Sequence, residues 1–355
     1  QIWWGHRIPA WYCASCSRTG LLALDDIPYE TALREGNFRV SLENGAVAIV
    51  SAEKPAVCPE CGGTDLVQDP DVLDTWFSSA LWPFATLGWP QESEDLTYYH
   101  PTDLMITGRD ILYLWVLRMV MTAEEFVGEI PFKTVYVHPT VLTRDGKRMS
   151  KSLGTGLNPL DLVRLYGADA TRYSLLHQVG STQDVRFDAV VENNVVLSSP
   201  SAENGRNFCN KLWNAARFVL LNLEDYTPRA GGGAGEGLAD RWIQSRLAGT
   251  IRDVNAALES YRLSEVTRAV YDFLWRDYCD WYVEMCKTSL QRGDAGTRHD
   301  AQEMLVQILE TALRLMHPIM PFITEVLWQA LPKDSTVPDS LMICDWPVFP
   351  EDDLD

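Results

Sequence analysis

The hydrophobic pattern of the last part of the chain constrains the fold most, because it repeats with the period of an α-helix over a long stretch. In its first segment, apolar side chains recur at helical spacing, at Phe208, Leu212, Ala215, Ala216, Val219 and Leu223. Similar amphipathic segments follow at about 240–258, 263–290, 300–316 and 322–331, and a glycine-rich linker occupies 231–237. Helices that each have one apolar face pack against one another, so we predict an all-α helical bundle.

The middle of the chain carries a different pattern. A β-branched and aromatic run at 134–137 predicts a strand, and the apolar segment 111–121 before it predicts a helix. Asn158 and Pro159 are typical N-cap and first-turn residues, so a second helix is expected to begin there. Strand, loop and helix in this order indicate an α/β unit.

The first hundred residues are rich in Trp, Pro and Gly, which predicts loops, short strands and a small metal-binding module. Two CxxC pairs carry the metal prediction, Cys13 with Cys16 and Cys58 with Cys61. The sequence CPECG is typical of a zinc knuckle, and two knuckles make a closed, structural four-cysteine site. Four reduced thiols without metal are the alternative. The other cysteines lie in helical or tail segments and are predicted to be packing residues: Cys209, Cys279, Cys286 and Cys344.

Net charge restricts the partners. The chain has 30 basic and 49 acidic residues, a net charge of −19, so nucleic acid and anionic membranes repel it on average. Contact with nucleic acid therefore needs a local basic patch. The candidates lie on the predicted bundle helices: Arg206, Lys211, Arg217 and Arg246, with Arg241, Arg252, Arg262 and Arg268 nearby. A solvated helix face with internal ion pairs is the alternative. No apolar run reaches the ~18 residues that a membrane span needs, so no membrane association is expected.

A short cationic loop, GKRMSKSLG at 146–154, follows the predicted strand. It combines the cations Arg148 and Lys151 with the hydroxyls of Ser150 and Ser152, between flanking glycines. Such a loop can close over a polyphosphate and stabilise charge that develops on a leaving pyrophosphate. A solvated basic loop is the alternative. The chain contains neither a Walker A loop nor GxGxxG.

Aromatic residues predict a small apolar pocket. Ile111 and Trp115 are four positions apart and share one face of the predicted helix, and Trp76 could complete the pocket wall. Asp110 could accept hydrogen bonds from a ribose or an ammonium group, and His138, directly after the predicted strand, is placed for a nucleotide. The alternatives are a buried aromatic stripe, a helix-capping aspartate and a structural histidine.

Several longer segments resemble one known family. They are QIWWGHRIPAWYC at 1–13, DVLDTWFSSALWPFATLGW at 71–89, TGRDILYLW at 107–115, RMSKS at 148–152, TQDVRFD at 182–188 and RNFCNKLWNA at 206–215. Together they resemble class Ia aminoacyl-tRNA synthetases, most closely the valine-specific members. The RMSKS segment is similar to the Lys-Met-Ser-Lys-Ser signature of that class, with Arg in place of the first Lys.

The resemblance implies a fold and a domain order. Residues 1–100 would be a connective region with the zinc-knuckle module, and residues 101–200 the C-terminal half of a Rossmann-type catalytic domain. Residues 201–355 would be a helical anticodon-binding domain. The predicted fold class is therefore α/β followed by an all-α bundle. The family's His-Ile-Gly-His signature, editing domain and C-terminal coiled coil are not found in this sequence, so we expect a fragment that forms no valyl-adenylate alone.

The resemblance also implies roles for the candidate residues. Lys151 would contact the ATP phosphates and stabilise the transition state of adenylate formation, within a catalytic loop that includes Arg148, Ser150 and Ser152. The remaining assignments are Gly108, Asp110 and His138 for the nucleotide, Trp76, Ile111 and Trp115 for the valine pocket, Cys13, Cys16, Cys58 and Cys61 for Zn²⁺, and Arg206, Lys211, Arg217 and Arg246 for tRNA.

The function implied is ATP-dependent activation of valine and its transfer to tRNA(Val), with Mg²⁺ accompanying ATP, in a monomeric cytoplasmic enzyme. Three alternatives remain. The chain could be a non-catalytic tRNA-binding module of the same fold, a fragment of an isoleucine-specific synthetase, or a structural zinc protein without a nucleotide site.

Overall fold

The computed structural model describes residues 4–13, 15, 38–41, 47–180, 184–228, 235, 237–333 and 337–348. The chain divides into two compact units, Gln1–His138 and Pro139–Asp355. The domain boundaries expected near residues 100 and 200 stay predictions.

The first unit begins with a small antiparallel sheet. Its strands are β1 (Ala10–Cys13), β2 (Phe38–Ser41), β3 (Val47–Val50) and β4 (Leu66–Gln68), in the spatial order β2-β3-β1-β4. Trp11 of β1 lies opposite Ile49 on one side and Gln68 on the other. Because β1 is central, Cys13 at its end is buried together with Ile49 and Leu66.

Two helices follow that were not predicted from the sequence, α1 (Thr75–Ala85) and α2 (Glu94–Tyr99). Pro83 within α1 argues against a helix from sequence, because proline removes a backbone donor. Pro83 lies in the last turn of α1, where it removes the N–H that would bond to the Ser79 carbonyl, and burial of Ala80 and Phe84 on one face offsets that loss. The Ala80–Phe84 spacing was the available signal.

The rest of the first unit is a strand–helix–strand arrangement. Strands β5 (Thr102–Gly108) and β6 (Phe132–His138) pair in parallel, which confirms the strand predicted at 134–137. The connecting helix begins with a 3₁₀ turn (Arg109–Ile111) and a π-helical turn (Leu112–Val116) before α3 (Leu117–Phe126). The predicted helix is therefore present but not regular at its start. It packs on the sheet through the cluster Met105, Val116, Met119 and Phe132.

The second unit starts with short α/β elements. They are β7 (Val141–Leu142), α4 (Pro159–Tyr166), α5 (Ala168–His177), β8 (Val185–Arg186), β9 (Val190–Glu192) and β10 (Val195–Ser198). Strands β7 and β8 are parallel, and β9 and β10 form an antiparallel hairpin. The side chain of Asn158 accepts a hydrogen bond from the Leu160 N–H, which confirms the predicted start of α4.

The bundle completes this unit. Its segments are α6 (Pro200–Leu221), α7 (Leu238–Glu259), α8 (Leu263–Asp272), a π-helix (Phe273–Tyr282), α9 (Val283–Arg292), α10 (Ala295–Met316), α11 (Pro321–Ala330) and a 3₁₀ turn (Leu341–Ile343). All six apolar residues predicted for the first helix are buried. Burial raises the pKa of the Cys209, Cys279 and Cys286 thiols to about 12, which supports their predicted packing role. No helix in the described ranges is long and apolar enough to cross a bilayer.

Candidate functional site

The predicted nucleotide residues of the first unit lie where its two parallel strands end. Gly108 and His138 are the last residues of β5 and β6 and are register partners. A Cβ at Gly108 would lie 3.6 Å from His138 Cε1, so the imidazole packs directly over the glycine backbone. Asp110 follows in the exposed 3₁₀ turn. The carboxyl edge of parallel strands is the usual ligand-binding edge of α/β sheets, and the structure brings Gly108 and His138 together there.

The residues predicted for an apolar pocket lie on neighbouring segments. The Thr122 hydroxyl of α3 donates a 2.7 Å hydrogen bond to the Ala80 carbonyl and so joins α3 to α1. One turn earlier, the guanidinium carbon of Arg118 lies 5.9 Å from the centre of the Trp76 ring. Trp76 and Ile111 are half-buried, and half-buried Trp115 packs against the Met105–Phe132 cluster. Part of the Trp115 indole therefore serves as core, as the alternative interpretation expected.

The RMSKS segment of the second unit is a hydrogen-bonded turn. The Ser150 N–H donates to Thr155 Oγ1 at 3.0 Å, and the Thr155 N–H donates to the Ser150 carbonyl at 3.0 Å. The hydroxyls of Ser150 and Ser152 are 2.9 Å apart. Arg148, Lys151 and Ser152 are exposed. The turn therefore presents its cations to solvent on a closed backbone loop.

The tip of the β9–β10 hairpin reaches this turn. Asn194 Oδ1 accepts from the Gly156 N–H at 2.9 Å, and Asn194 Nδ2 donates to the Lys151 carbonyl at 3.0 Å. Asn194 is not among the site residues predicted from the sequence. The pair Asn193-Asn194 between two β-branched runs is a recognisable signal for a two-residue hairpin turn.

Three of the four cysteines predicted to bind metal come together in the first unit. The Sγ atoms of Cys13, Cys58 and Cys61 all lie within 4.8 Å of one another. The Cys58 N–H donates to the Gly63 carbonyl and the Gly62 N–H to the Cys58 carbonyl, both at 2.8 Å, which forms the knuckle. Cys16, the fourth predicted ligand, lies outside the described residues. Three converging thiols are the donor set that Zn²⁺ prefers.

Of the four cations assigned to tRNA, three are paired with carboxylates, and no such pair is described for the fourth, exposed Arg217. The pairs are Arg206–Glu203 at 2.8 Å, Lys211–Asp280 at 2.5 Å and Arg246–Asp277 at 2.8 Å. The first is an internal pair of α6, as the alternative interpretation expected. The other two join α6 and α7 to the π-helix. An anionic partner would therefore compete with these carboxylates.

A recess of about 360 Å³ opens beside Lys211, lined by Tyr173, Ser174, His177, Ser201, Asn204, Asn207, Tyr271 and Trp275. The rings of Tyr271 and Trp275 stack with centroids 5.4 Å apart, and Lys211 Nζ lies 5.1 Å from the centre of the Trp275 ring. Burial lowers the pKa of His177, and the nearby Arg268 lowers it further. Aromatic faces, amides and a cation are the groups that bind an unpaired nucleobase. The sequence signal for this recess is the Tyr271–Trp275 spacing, because residues four apart share one helix face.

Comparison with known families assigns both parts of the chain. The profile described as "tRNA synthetases class I (I, L, M and V)" matches residues 1–188, and that described as "Anticodon-binding domain of tRNA ligase" matches residues 240–355.

Curated relatives agree with these matches. The chain is 45% identical to the valine–tRNA ligase of Symbiobacterium thermophilum over 94% of its length, 46% to that of Synechocystis over 93%, and 43% to that of Thermotoga maritima over 100%. It spans 33%, 35% and 36% of those proteins, about a third of each.

Solved structures show the same fold at low sequence identity. The Agrobacterium radiobacter LeuRS–tRNA–LeuAMS ternary complex superposes with a TM-score of 0.69 at 20% identity, over 99% of this chain and 42% of that one. Mycobacterium tuberculosis methionyl-tRNA synthetase bound by methionyl-adenylate gives 0.55 at 21% identity, over 84% and 57%.

Proposed function

The chain belongs to the class I tRNA synthetase family, and from this membership we propose that it is the part of a valine–tRNA ligase that carries the RMSKS loop and the anticodon-binding bundle. The observation that carries the proposal is the exposed cationic turn at 148–152 within a chain that matches valine–tRNA ligases along nearly its whole length. The same similarity favours valine over isoleucine as the amino acid.

The proposed reaction begins with adenylate formation. The valine carboxylate attacks the α-phosphorus of ATP, and pyrophosphate leaves with Mg²⁺ accompanying the phosphates. Negative charge moves onto the leaving group in this step. Lys151 is assigned to stabilise that charge, and Arg148 contributes a second cation from the same turn. The hydroxyl pair Ser150–Ser152 fixes the turn between them.

Binding of adenosine and of valine is assigned to the first unit. Adenosine is assigned to Gly108, His138 and Asp110 at the strand ends, where the His138 imidazole packs over Gly108 and Asp110 is exposed as an acceptor for ribose hydroxyls. Trp76, Ile111 and Trp115 are proposed to wall the valine site. An apolar wall excludes larger side chains but rejects isosteric threonine only weakly.

Binding of tRNA is assigned to the bundle. Lys211 is proposed to leave its pair with Asp280 for a phosphate, while the aromatic recess at Trp275 accepts an unpaired base. Arg206, Arg217 and Arg246 would add phosphate contacts. The overall negative charge of the chain makes this binding depend on these few cations.

A structural role is proposed for Zn²⁺ at Cys13, Cys58 and Cys61, with Cys16 as the fourth ligand. Cys13 and Cys58 lie in the sheet core beside Ile49 and Leu66, and Cys61 is exposed. A metal held there cross-links β1 to the loop before β4. Thiolate ligation fits a reducing compartment such as the cytoplasm.

The test of the proposed reaction is a replacement experiment. The matching third of the Symbiobacterium thermophilum enzyme is exchanged for this chain, and valine-dependent ATP–pyrophosphate exchange and tRNA charging are measured. We expect ATP–pyrophosphate exchange with valine and only weak exchange with isoleucine. Lys151→Ala should lower the rate of exchange about 100-fold, the scale of losing one charge-stabilising group. The isolated chain is expected to show no exchange. A correctly folded replacement protein without valine-dependent exchange would refute the proposal.

Binding of tRNA is tested on the isolated chain. Affinity for tRNA should fall steeply with salt concentration, and Lys211→Ala should reduce both the affinity and the salt slope. Lys333→Ala, which removes a lysine stacked on Trp328 of α11, is the matched control. Equal losses in the two variants would show that the Lys211 region is not the binding surface.

A further inference from the structure

One side chain joins the β9–β10 hairpin to the cationic turn. Asn194 bonds to the Gly156 N–H through Oδ1 and to the Lys151 carbonyl through Nδ2, at 2.9 and 3.0 Å. Its backbone N–H also donates to the Gly154 carbonyl at 2.9 Å. Three hydrogen bonds from a single residue therefore hold the backbone on both sides of the turn that carries Lys151.

The hairpin that presents Asn194 is well supported. Its two turn residues have positive φ angles, 51° at Asn193 and 63° at Asn194, as a tight two-residue hairpin requires. Val196 of β10 is buried in a cluster with Leu162 and Phe187. At the base, the Asp188 carboxylate accepts hydrogen bonds from Ser199 and Ser201 at the start of α6. The hairpin tip is therefore held in place by the core and can restrain the exposed turn that carries Lys151.

The contact is close as well as directional. A Cβ at Gly156 would lie 2.9 Å from Asn194 Oδ1 and 3.4 Å from Lys151 Cγ. Only glycine lets the turn approach the amide this closely. Gly154, with φ of 70°, supplies the left-handed conformation that brings its carbonyl to the Asn194 N–H.

We propose that Asn194 is a positioning residue for Lys151 in adenylate formation, an inference that rests on the function proposed above. Asn194 holds the backbone carbonyl of Lys151 and so restricts the directions in which the ammonium group can point. Without the side chain, the turn samples more conformations, and fewer of them place the ammonium on the phosphates. The loss should appear in kcat for exchange and in KM for ATP, and not in KM for valine.

The first experiment measures the turn directly by hydrogen exchange in the isolated chain. Asn194→Gly removes the side chain but tolerates the positive φ. Asn193→Gly is the matched control from the same turn. We expect the Gly156 amide to exchange about tenfold faster in Asn194→Gly, since its acceptor is lost. The proposal would be overturned if hydrogen exchange at the Gly156 amide were unchanged in Asn194→Gly, or if it were accelerated equally in both variants.

The second experiment measures catalysis in the replacement enzyme. Asn194→Gly should lower kcat for ATP–pyrophosphate exchange about tenfold, with KM for valine and the thermal midpoint unchanged. Asn194→Asp should rescue part of the loss, because a carboxylate accepts from the Gly156 N–H but cannot donate to the Lys151 carbonyl. Asn193→Gly should behave as the parent. A raised KM for valine, or an unchanged kcat, would overturn the assignment.

The two experiments separate the two proposals. Suppose that amide hydrogen exchange is faster in Asn194→Gly but the unsubstituted replacement enzyme is inactive. The proposed function has then failed, and the role of Asn194 in catalysis fails with it. Suppose instead that the unsubstituted replacement enzyme is active but Asn194→Gly does not change hydrogen exchange at the Gly156 amide. The proposed function then stands, and only the role of Asn194 is refuted.

Discussion

The two units of the molecule bury their apolar side chains in different ways. In the second unit a continuous core runs from Tyr173 to Leu341 and includes the fully buried Tyr278 and Trp328. In the first unit the buried clusters are small, one around Cys13 and Ile49 and one around Met105 and Met119.

The difference shows where stabilisation must come from. Long amphipathic helices bury enough apolar area to offset the conformational entropy lost on folding. Within the described residues, the sheet has strands three or four residues long and a buried cluster of Cys13, Ile49, Cys58 and Leu66, which is far less apolar area. Small modules of this kind usually depend on a metal or a cross-link. Four predictions test this contrast.

The largest effect is expected from metal removal. Structural zinc sites contribute on the order of 10 kcal/mol of binding free energy, so a chelator should unfold the β1–β4 module and leave the bundle folded. Cys58→Ser should do the same, whereas Cys344→Ser, in the tail of the second unit, should not. Metal analysis of the purified chain and the far-UV signal of the bundle provide the measurement. A chain that purifies with no bound metal would contradict the prediction.

The next effect is a cavity in the bundle core. Leu309 is completely buried in α10, so Leu309→Ala should lower the free energy of unfolding by about 2–5 kcal/mol. Met121 of the first unit is 62% exposed. Met121→Ala should therefore change the free energy of unfolding by no more than about 0.5 kcal/mol. Urea unfolding followed by circular dichroism measures both. Comparable losses in the two variants would contradict the contrast between the bundle core and the first unit.

A smaller effect concerns a helix cap made by a distant element. The buried Asp169 carboxylate of α5 accepts from the Phe322 and Ile323 N–H groups at the start of α11, at 3.2 and 2.7 Å. Asp169→Ala should cost about 2 kcal/mol, the upper end of cap losses, because it leaves two N–H groups at the start of α11 without their buried acceptor. Asp294→Ala removes an exposed cap of α10 and should cost about 1 kcal/mol. Urea unfolding measures the free energy lost in each variant. A larger loss in Asp169→Ala than in Asp294→Ala would show that burial of the capping carboxylate increases its contribution.

The smallest effect is a pH dependence of the bundle. Burial and the nearby Arg268 lower the pKa of His177, while Asp272 opposes them. The unfolded chain therefore binds this proton more readily, and the stability is fully present above about pH 6.5 and is lost as pH falls below it. His177→Gln should reduce the loss of stability between pH 7 and pH 5. A pH dependence identical in both proteins would exclude His177 as a source.

The chemistry-bearing segments were predictable because they are local in sequence. Helical spacing from Phe208 to Leu223 predicted the buried face of α6, and two CxxC pairs predicted the cysteine cluster. The approach of Asn194 to Lys151 was not predictable, because it joins residues 43 positions apart. The same holds for the Lys211–Asp280 pair, which spans two helices.

The sequence by itself determined the helical periodicity, the cysteine spacing, the RMSKS segment and the family that they indicate, because each is a property of residues close together in the chain. Tertiary packing decided that α1 tolerates Pro83, that Trp115 is partly core, and that Lys211 and Arg246, expected to face RNA, pair with aspartates. Such outcomes depend on which distant atoms meet, because burial and charge pairing are set by all elements that surround a group and not by its own segment.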